Sequence, residues 1–522
     1  MQRIAPPLNQ LNLLAPITTH FKFVELMKSI YALIAPPGAG KTSWLISQLT
    51  KPNAQYSVLA FPTKILSAEV QRRMRELKIN FNAIDSNTVE GSVITALEES
   101  LSYRTHEIII CTHESLRLIS PEALDGWRLY IDEVPVTWNC ATHSFTELSY
   151  RRVFDGITDI IRAGDKNRVR AKDNCRALIE GLANGSDSTL TSDARSILKA
   201  LLDSRYVVEV EELDAKLRRI VRIIGIKHYI HAFEAAEKVV VMGAEVEKTL
   251  LGVTMRGAGW GILPIEAAID FTGYGNKVEI HPFFRNRSYS KSAALMKGGK
   301  LYPDYQEDCL LDAWLKTDVF RIIGNRKAIL VAHQWCKVEL PVPVHQDDSN
   351  VRFIPIDNRG INEYSEYNIA ICLQHGNITP IEGRSLQTLA ELLSIIETIS
   401  SDEIKSAVKY ERFYESTLQS VCRTALRSRT SQSKILLFVQ DSEVANFLAE
   451  KIGNCEINET YAEDYISPES TLRKNRENLK LKAIILWEQN YSIESIAKEV
   501  GKTRRTVSSW IKPYRQMPQK DL

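Results

Sequence analysis

A chain of 522 residues has ample length for sizeable cores and argues for two to four domains. Its 44% hydrophobic and 25% charged content is that of an ordinary globular protein; no apolar run reaches membrane-spanning length and no secretion-signal layout opens the chain, which argues against a membrane protein. The net charge is only +2, yet residues 471–522 hold twelve Lys/Arg against five Asp/Glu, leaving 54 against 59 elsewhere, so a basic tail follows a slightly acidic body.

Residues 1–20 read as a loosely held arm. An apolar strand over 31–34 leads into Ala35-Pro36-Pro37-Gly38-Ala39-Gly40-Lys41-Thr42, and an amphipathic helix follows from Ser43. Strand, glycine loop and helix in that order are the context of a phosphate-binding P-loop. Gly38 and Gly40 let successive N–H groups turn toward phosphate oxygens, and the helix start adds its dipole. Lys41 supplies a cation for the β- and γ-phosphates and Thr42 a hydroxyl for Mg²⁺. Pro37, Gly38, Ala39, Gly40, Lys41, Thr42 and Ser43 are therefore the expected ATP loop, although Ala35 stands where the strict pattern has its first glycine.

A second strand over 56–61 ends in Pro62-Thr63-Lys64, and a helix with Arg72, Arg73 and Arg75 is expected over 66–77. Strands over 107–111 and 128–131 end in Thr112-His113 and in Asp132-Glu133-Val134-Pro135. Strands alternating with helices, each strand ending in a polar motif, predict a parallel α/β sheet that binds ligands at its carboxyl edge. At such an edge Asp132 can hold Mg²⁺, while Glu133 orients and deprotonates the attacking water.

These residues resemble the superfamily 2 helicases and translocases of the DEAD-like kind. The P-loop resembles motif I, Phe61-Pro62-Thr63-Lys64 motif Ia, and Asp132-Glu133-Val134-Pro135 the DExx motif II. Thr112-His113 resembles the strand-end motif that touches nucleic acid. Val239 to Glu245 stands where motif III is expected, with Gly243 and Glu245 departing from it. Lys327 to His333 resembles motif IV, Arg359-Gly360-Ile361-Asn362 motif V, and Gln419 to Arg427 motif VI. The resemblance implies two RecA-like lobes, over 21–265 and 266–452. It implies ATP and Mg²⁺ as cofactors, Gln419, Arg423 and Arg427 as further catalytic groups, and Pro62, Thr63, Thr112, His113, Arg359, Gly360 and Asn362 on nucleic acid. Gln419, Arg423 and Arg427 are four apart, which predicts one helix face carrying arginines that reach a γ-phosphate when the cleft closes.

Residues 144–235 exceed a minimal lobe and read as amphipathic helices over 145–161, 173–182, 192–202 and 211–224. They form a helical insertion that could be a strand-separating wedge, a partner site or plain packing. His228 and His231 could share a helix face, but no third ligand stands nearby, and core or surface histidines are expected. The eight cysteines are scattered with no pair two residues apart, which excludes a zinc ribbon and suits reduced thiols in a cytoplasmic compartment.

After a linker over 453–474, residues 475–522 predict a small all-α helix-turn-helix domain. Ile496, Ala497, Val500, Val507 and Trp510 face inward and Gly501 makes the turn. Lys502, Thr503, Arg504, Arg505, Ser508 and Lys512 are placed for base edges and phosphates, as in resolvase-like recombinases and transposase ends. The expected whole is an α/β protein with two P-loop-type lobes, a helical insertion and a DNA reader. It would act as an ATP-dependent helicase or translocase on single- and double-stranded DNA, with no membrane as partner, in the manner of a phage or plasmid origin-binding helicase with replication proteins as partners. The motifs do not choose between DNA and RNA. A packaging or remodelling ATPase, and a nucleotide-sensing DNA-binding regulator without turnover, are the rival expectations.

Overall fold

The computed structural model describes residues 28–51, 55–211, 213, 218–227, 229–266, 269, 271–342, 348–356, 363–428, 431–464, 479–489 and 491–512. The chain divides into two units, residues 1–270 with 378–410 and residues 271–377 with 411–522.

The first unit opens as β1 (Ser29–Ile34), α1 (Lys41–Leu49), β2 (Ser57–Phe61), α2 (Lys64–Glu76), β3 (Asn82–Ala83), α3 (Val93–Ser102), β4 (Ile108–Thr112), α4 (His113–Leu118) and β5 (Arg128–Asp132). It then leaves as β6 (Trp138–Thr146), α5 (Glu147–Phe154), β7 (Thr158–Ala163), β8 (Lys166–Ala171), α6 (Arg176–Ala183), α7 (Ser192–Leu202), β9 (Tyr206–Val210) and β10 (Arg218–Ile226). After α8 (Ile230–Ala235) it returns as β11 (Lys238–Gly243), α9 (Leu250–Gly257) and β12 (Gly261–Pro264).

The first sheet has the order β12-β1-β11-β5-β2-β4-β3, with every paired neighbour parallel. Its strands read as continuous apolar runs because both faces are covered. Val58, Ala60, Ile109, Leu129, Ile131 and Val241 enter one core, and Leu59, Phe61, Ile110, Tyr130, Val240 and Met242 the other.

The excursion between β5 and β11 is a five-stranded antiparallel sheet, β6-β10-β9-β8-β7, with helices packed on it, so the expected helical insertion is corrected to a β-rich one. The helix expected over 211–224 is replaced by β10, and that over 145–161 shrinks to α5 between two strands. The apolar residues of β10 satisfy either period, and pairing on both edges decides for the strand. Val221 and Ile223 then face one core while Ile224 and Ile226 face another. At Gly225 a Cβ would lie 2.0 Å from the Tyr206 ring, so the cross-strand tyrosine needs that glycine.

From residue 271 the second unit forms β13 (Val278–Phe284), α10 (Lys291–Ala294), α11 (Leu310–Trp314), α12 (Phe320–Ile323), β14 (Ala328–Val331), β15 (Val351–Ile354) and β16 (Ile369–Cys372). The chain next contributes α13 (Pro380–Leu393) and α14 (Ser401–Lys409) to the first unit, which corrects the expected uninterrupted lobe over 266–452. Leu386, Leu389, Leu393, Ile404 and Val408 bury themselves with Trp138, Ile224, Ile226, Leu250 and Val253. A partly buried polar network also joins α13 to this sheet: Arg222 pairs with Glu211 and Glu209, the exposed Arg384 with Glu211, and Lys166 donates to Thr388 at 2.6 Å.

The second unit resumes as α15 (Ser416–Val421), β17 (Ile435–Asp441), α16 (Ser442–Ile452) and β18 (Cys455–Ile457). Its sheet order is β15-β14-β16-β17-β13-β18, again with every paired neighbour parallel. Trp314, 1% exposed, packs 4.7 Å from Phe283 and donates its Nε1–H to Tyr461 O at 2.9 Å. Finally α17 (479–488), α18 (Ile493–Glu499) and α19 (Arg504–Ile511) form a small all-α domain around Ala483, Ile496, Val500, Val507, Trp510 and Ile511. The architecture is thus α/β with two parallel sheets and an antiparallel excursion, followed in sequence by an all-α C-terminal domain. Among the described residues no helix is long and apolar enough to cross a membrane.

Candidate functional site

The loop after β1 is shaped by its own backbone. Gly38 (φ 82°) and Gly40 (φ 100°) take left-handed conformations that favour glycine. Ala35 N donates to Gly243 O at 3.0 Å, fixing the loop to the end of β11. Gly40 is the N-cap of α1, with no side-chain hydrogen bond at the cap and no acidic residue in the first turn. By contrast Thr63 and Thr112 close the starts of α2 and α4 with their hydroxyls. A helix start left to its backbone N–H groups suits an anion. Lys41 Nζ folds back over the loop, donating to Ala35 O at 2.6 Å and Pro36 O at 3.2 Å.

Register brings the second half of the site to this loop. Strand β5 lies between β2 and β11, with Asp132 opposite Met242, and Asp132 ends the strand at 3% exposure. Thr42 Oγ1 donates to Asp132 Oδ2 at 3.4 Å, across ninety residues of sequence. Glu133 follows with φ 62°, a left-handed backbone that costs a non-glycine residue on the order of 1–3 kcal/mol. Such a turn redirects the side chain after a buried strand end. A hydroxyl beside a carboxylate, next to a lysine and an open helix start, is a donor set that fits Mg²⁺ and phosphate. Among the described residues no group of three His, Cys, Asp or Glu could hold a metal by itself.

Two flanking residues define this arrangement further. His113 is 6% exposed, and its Nε2–H donates to Asp132 O at 3.1 Å while Tyr229 Oη donates to His113 O at 3.4 Å. The expected nucleic-acid contact at His113 is therefore corrected: the ring braces the backbone of Asp132 from inside. Thr112, expected beside it, caps α4 by accepting from Ser115 N. At Gly243 a Cβ would lie 2.9 Å from Glu245 O and 3.0 Å from Val134, so the departure from motif III admits the close passage of the chain beyond Glu133. Sequence reasoning missed the role of Gly243, for which the close approach of two strand ends is a tertiary fact.

Pro62 and Thr63 stand at the carboxyl end of β2, where Thr63 Oγ1 accepts from Leu66 N at 3.2 Å. Lys64 reaches the next loop, bonding Ser86 and Asn87, the latter at 3.1 Å. Ser43, expected on the nucleotide, accepts from Arg73 Nη2 at 2.8 Å, a residue that the sequence marked only as basic.

In the second unit Gln419 lies on α15 and donates to Glu415 Oε1 at 3.4 Å. The helix ends at Val421, so the expected single face through Arg423 and Arg427 is corrected. Ser420 and Thr424 hydroxyls bond to the Ser416 and Val421 carbonyls, and Thr424 turns extended (ψ −175°) to start a 3₁₀ turn over Ala425–Arg427. Arg423 is left 9% exposed in the intervening turn, and Arg427 is exposed on the 3₁₀ turn. Arg359, Gly360 and Asn362 lie outside the described residues, as does His228. His231 is in α8, its Nδ1 3.6 Å from Glu234.

In the C-terminal domain Gly501 (φ 61°) turns α18 into α19. Thr503 Oγ1 caps α19 by accepting from Thr506 N at 3.2 Å. Lys502, Thr503, Arg504, Arg505 and Lys512 are exposed and Ser508 half-buried, while Arg504 pairs with Glu494 at 2.9 Å. A family model described as a homeodomain-like domain matches residues 474–517.

No curated protein matches the chain. Among solved structures it is similar to an XPD helicase, at 11% identity over 83% of this chain and 96% of that one, with a TM-score of 0.46. It is also similar to S. tokodaii Xpd4, at 10% identity over 82% and 96% with a TM-score of 0.47. S. cerevisiae Dbp5 bound to RNA and ADP BeF3 matches at 10% identity over 86% and 87%, with a TM-score of 0.34.

Proposed function

We propose that this protein couples ATP hydrolysis to movement on nucleic acid, as a helicase or translocase, and that its C-terminal domain brings it to duplex DNA. The observation that carries the reading is the meeting of Thr42 with Asp132 beside the folded-back Lys41. In it the α1 N-terminus and Lys41 bind phosphate oxygens, while Thr42 and Asp132 hold Mg²⁺, whose charge offsets that of the phosphates. Glu133 orients the attacking water and accepts its proton at a carboxylate oxygen. Gln419 with Arg423, and Arg427 after it, are assigned to the γ-phosphate, so that turnover follows movement of the second unit. Pro62, Thr63, Thr112, Arg359, Gly360 and Asn362 are assigned to the strand being tracked, and Lys502, Thr503, Arg504, Arg505, Ser508 and Lys512 to the duplex site.

A motor tethered to a sequence reader suits an origin-binding helicase of a phage or plasmid replicon, acting with replication proteins. ATP turnover measured without DNA, with single strands and with duplex tests the reading, alongside strand displacement. Stimulation by DNA that Lys41→Ala and Glu133→Gln abolish is the expected result. A regulator would show no turnover for either variant to remove, and a packaging or remodelling ATPase would hydrolyse ATP without displacing a strand.

A further inference from the structure

Strands β14 and β16 are neighbours, and their carboxyl ends carry three flat rings. His333 follows β14 and His375 follows β16; His375 N donates to His333 Nε2 at 3.1 Å, and the ring centroids are 4.1 Å apart. Trp335 lies within 15° of parallel to His333 and 26° to His375, at centroid distances of 6.1 and 6.3 Å. All three are half-buried. Lys291 Nζ is 5.9 Å from the Trp335 ring centroid and 4.0 Å from Asp304.

The indole differs from the structural tryptophans of this chain. Trp127 donates its Nε1–H to Leu101 O at 3.3 Å and Trp314 to Tyr461 O at 2.9 Å. Trp335 Nε1 is buried with no hydrogen-bond partner among the described residues. Buried indole N–H groups ordinarily find an acceptor, and leaving one unmet costs about 1–3 kcal/mol. Near-parallel rings that are half-buried, with an ammonium group beside them at the carboxyl edge of a parallel sheet, are the makings of a stacking site. Bases offer a π-face and acceptor atoms, and the backbone between them offers phosphates.

We propose that Trp335, supported by His333 and His375, stacks on a base of single-stranded nucleic acid, with Lys291 neutralising an adjoining phosphate. This rests on the reading above that the protein tracks a single strand. The test is binding of the full chain to an oligothymidine about twelve nucleotides long, followed by anisotropy across a salt series. Trp335→Ala and Trp335→Leu are expected to weaken binding roughly 5- to 150-fold without changing the salt slope, and Trp335→Phe to recover most of it. Lys291→Gln is expected to reduce the slope by about 0.7. Thermal melting checks each variant, and Trp335→Leu keeps apolar bulk should Trp335→Ala fail to fold. Affinity of Trp335→Leu within twofold of the parent would overturn the platform and leave a packing cluster. A parent chain that binds duplex but no oligothymidine would overturn the tracking reading as well.

Discussion

At the carboxyl edge of the first sheet the candidate site groups are placed mainly by backbone. Two left-handed glycines shape the loop, an uncapped helix start faces it, and a left-handed Glu133 follows the buried Asp132. At the same edge of the second sheet side chains do the placing. There Gln440 Nε2 donates to Gln374 O at 2.8 Å and to Thr417 Oγ1 at 2.9 Å, holding α15, while the rings of His333, Trp335 and His375 cluster at the strand ends. Both edges crown parallel sheets with the same covered strands, so the scaffold does not set the chemistry; the residues that leave each strand do. Backbone-built sites suit phosphates, whose oxygens accept from any N–H. Side-chain-built sites suit flat bases and distances that change.

The largest expected effect is on the backbone-built edge. Lys41→Ala should lower ATP turnover on the order of 10³-fold and weaken nucleotide binding, whereas Glu133→Gln should lower turnover about 10²- to 10⁴-fold with nucleotide affinity kept. Steady-state hydrolysis and binding of a fluorescent nucleotide separate the two. If Arg423→Ala removed nucleotide affinity as fully as Lys41→Ala, the division between the edges would fail. Next, Trp314→Ala should destabilise the second unit by roughly 3–5 kcal/mol, because a fully buried ring and its bond to Tyr461 are lost. Denaturant unfolding read with the nucleotide probe should leave the first unit's transition in place.

A smaller effect concerns acid. Burial raises the Glu211 carboxyl, but Arg222 and Arg384 outweigh it and hold the group below its ordinary 4.5. Its contribution is therefore full above about pH 4.5 and lost as pH falls through the lower folded value. Glu211→Gln should flatten the fall in first-unit stability between neutral and acidic pH, and unchanged steepness in urea titrations would count against the ion network. The smallest effect is at the tail: Thr503→Ala should cost the C-terminal domain about 1 kcal/mol through loss of the α19 cap, and Thr503→Ser little. Heat capacity scans of the full chain can resolve that transition.

The sites differ in how far they could be read in advance. The glycine loop between β1 and α1 is legible because eight consecutive residues build it, and Asp132 because it ends an apolar strand. The helix-turn-helix is legible for the same local reason, with Gly501 at the turn and inward apolar residues at helical spacing. Strand β10 was open to misreading because Ile and Val spaced along it suit a helix stripe as well as a doubly buried strand. Arg423 and Arg427 have helical spacing, but past Val421 the backbone tightens, with Arg423 N on Ser420 O and Thr424 N on Val421 O, and the Thr424 hydroxyl also takes the Val421 carbonyl that would continue the helix. Helix α13 is plainly amphipathic, yet nothing along 378–410 names Trp138 and Ile224 as its partners.

By itself the amino-acid sequence determined the local devices: glycines where the backbone must turn left-handed, a lysine and threonine at a helix start, and a basic helix closed by a threonine cap. The tertiary structure alone decided which distant residues meet, as Thr42 meets Asp132 and Glu211 meets Arg384. Propensity and spacing act over one or two turns of chain. Strand register and the burial of apolar faces act across hundreds of residues, and only their joint solution sets such distances.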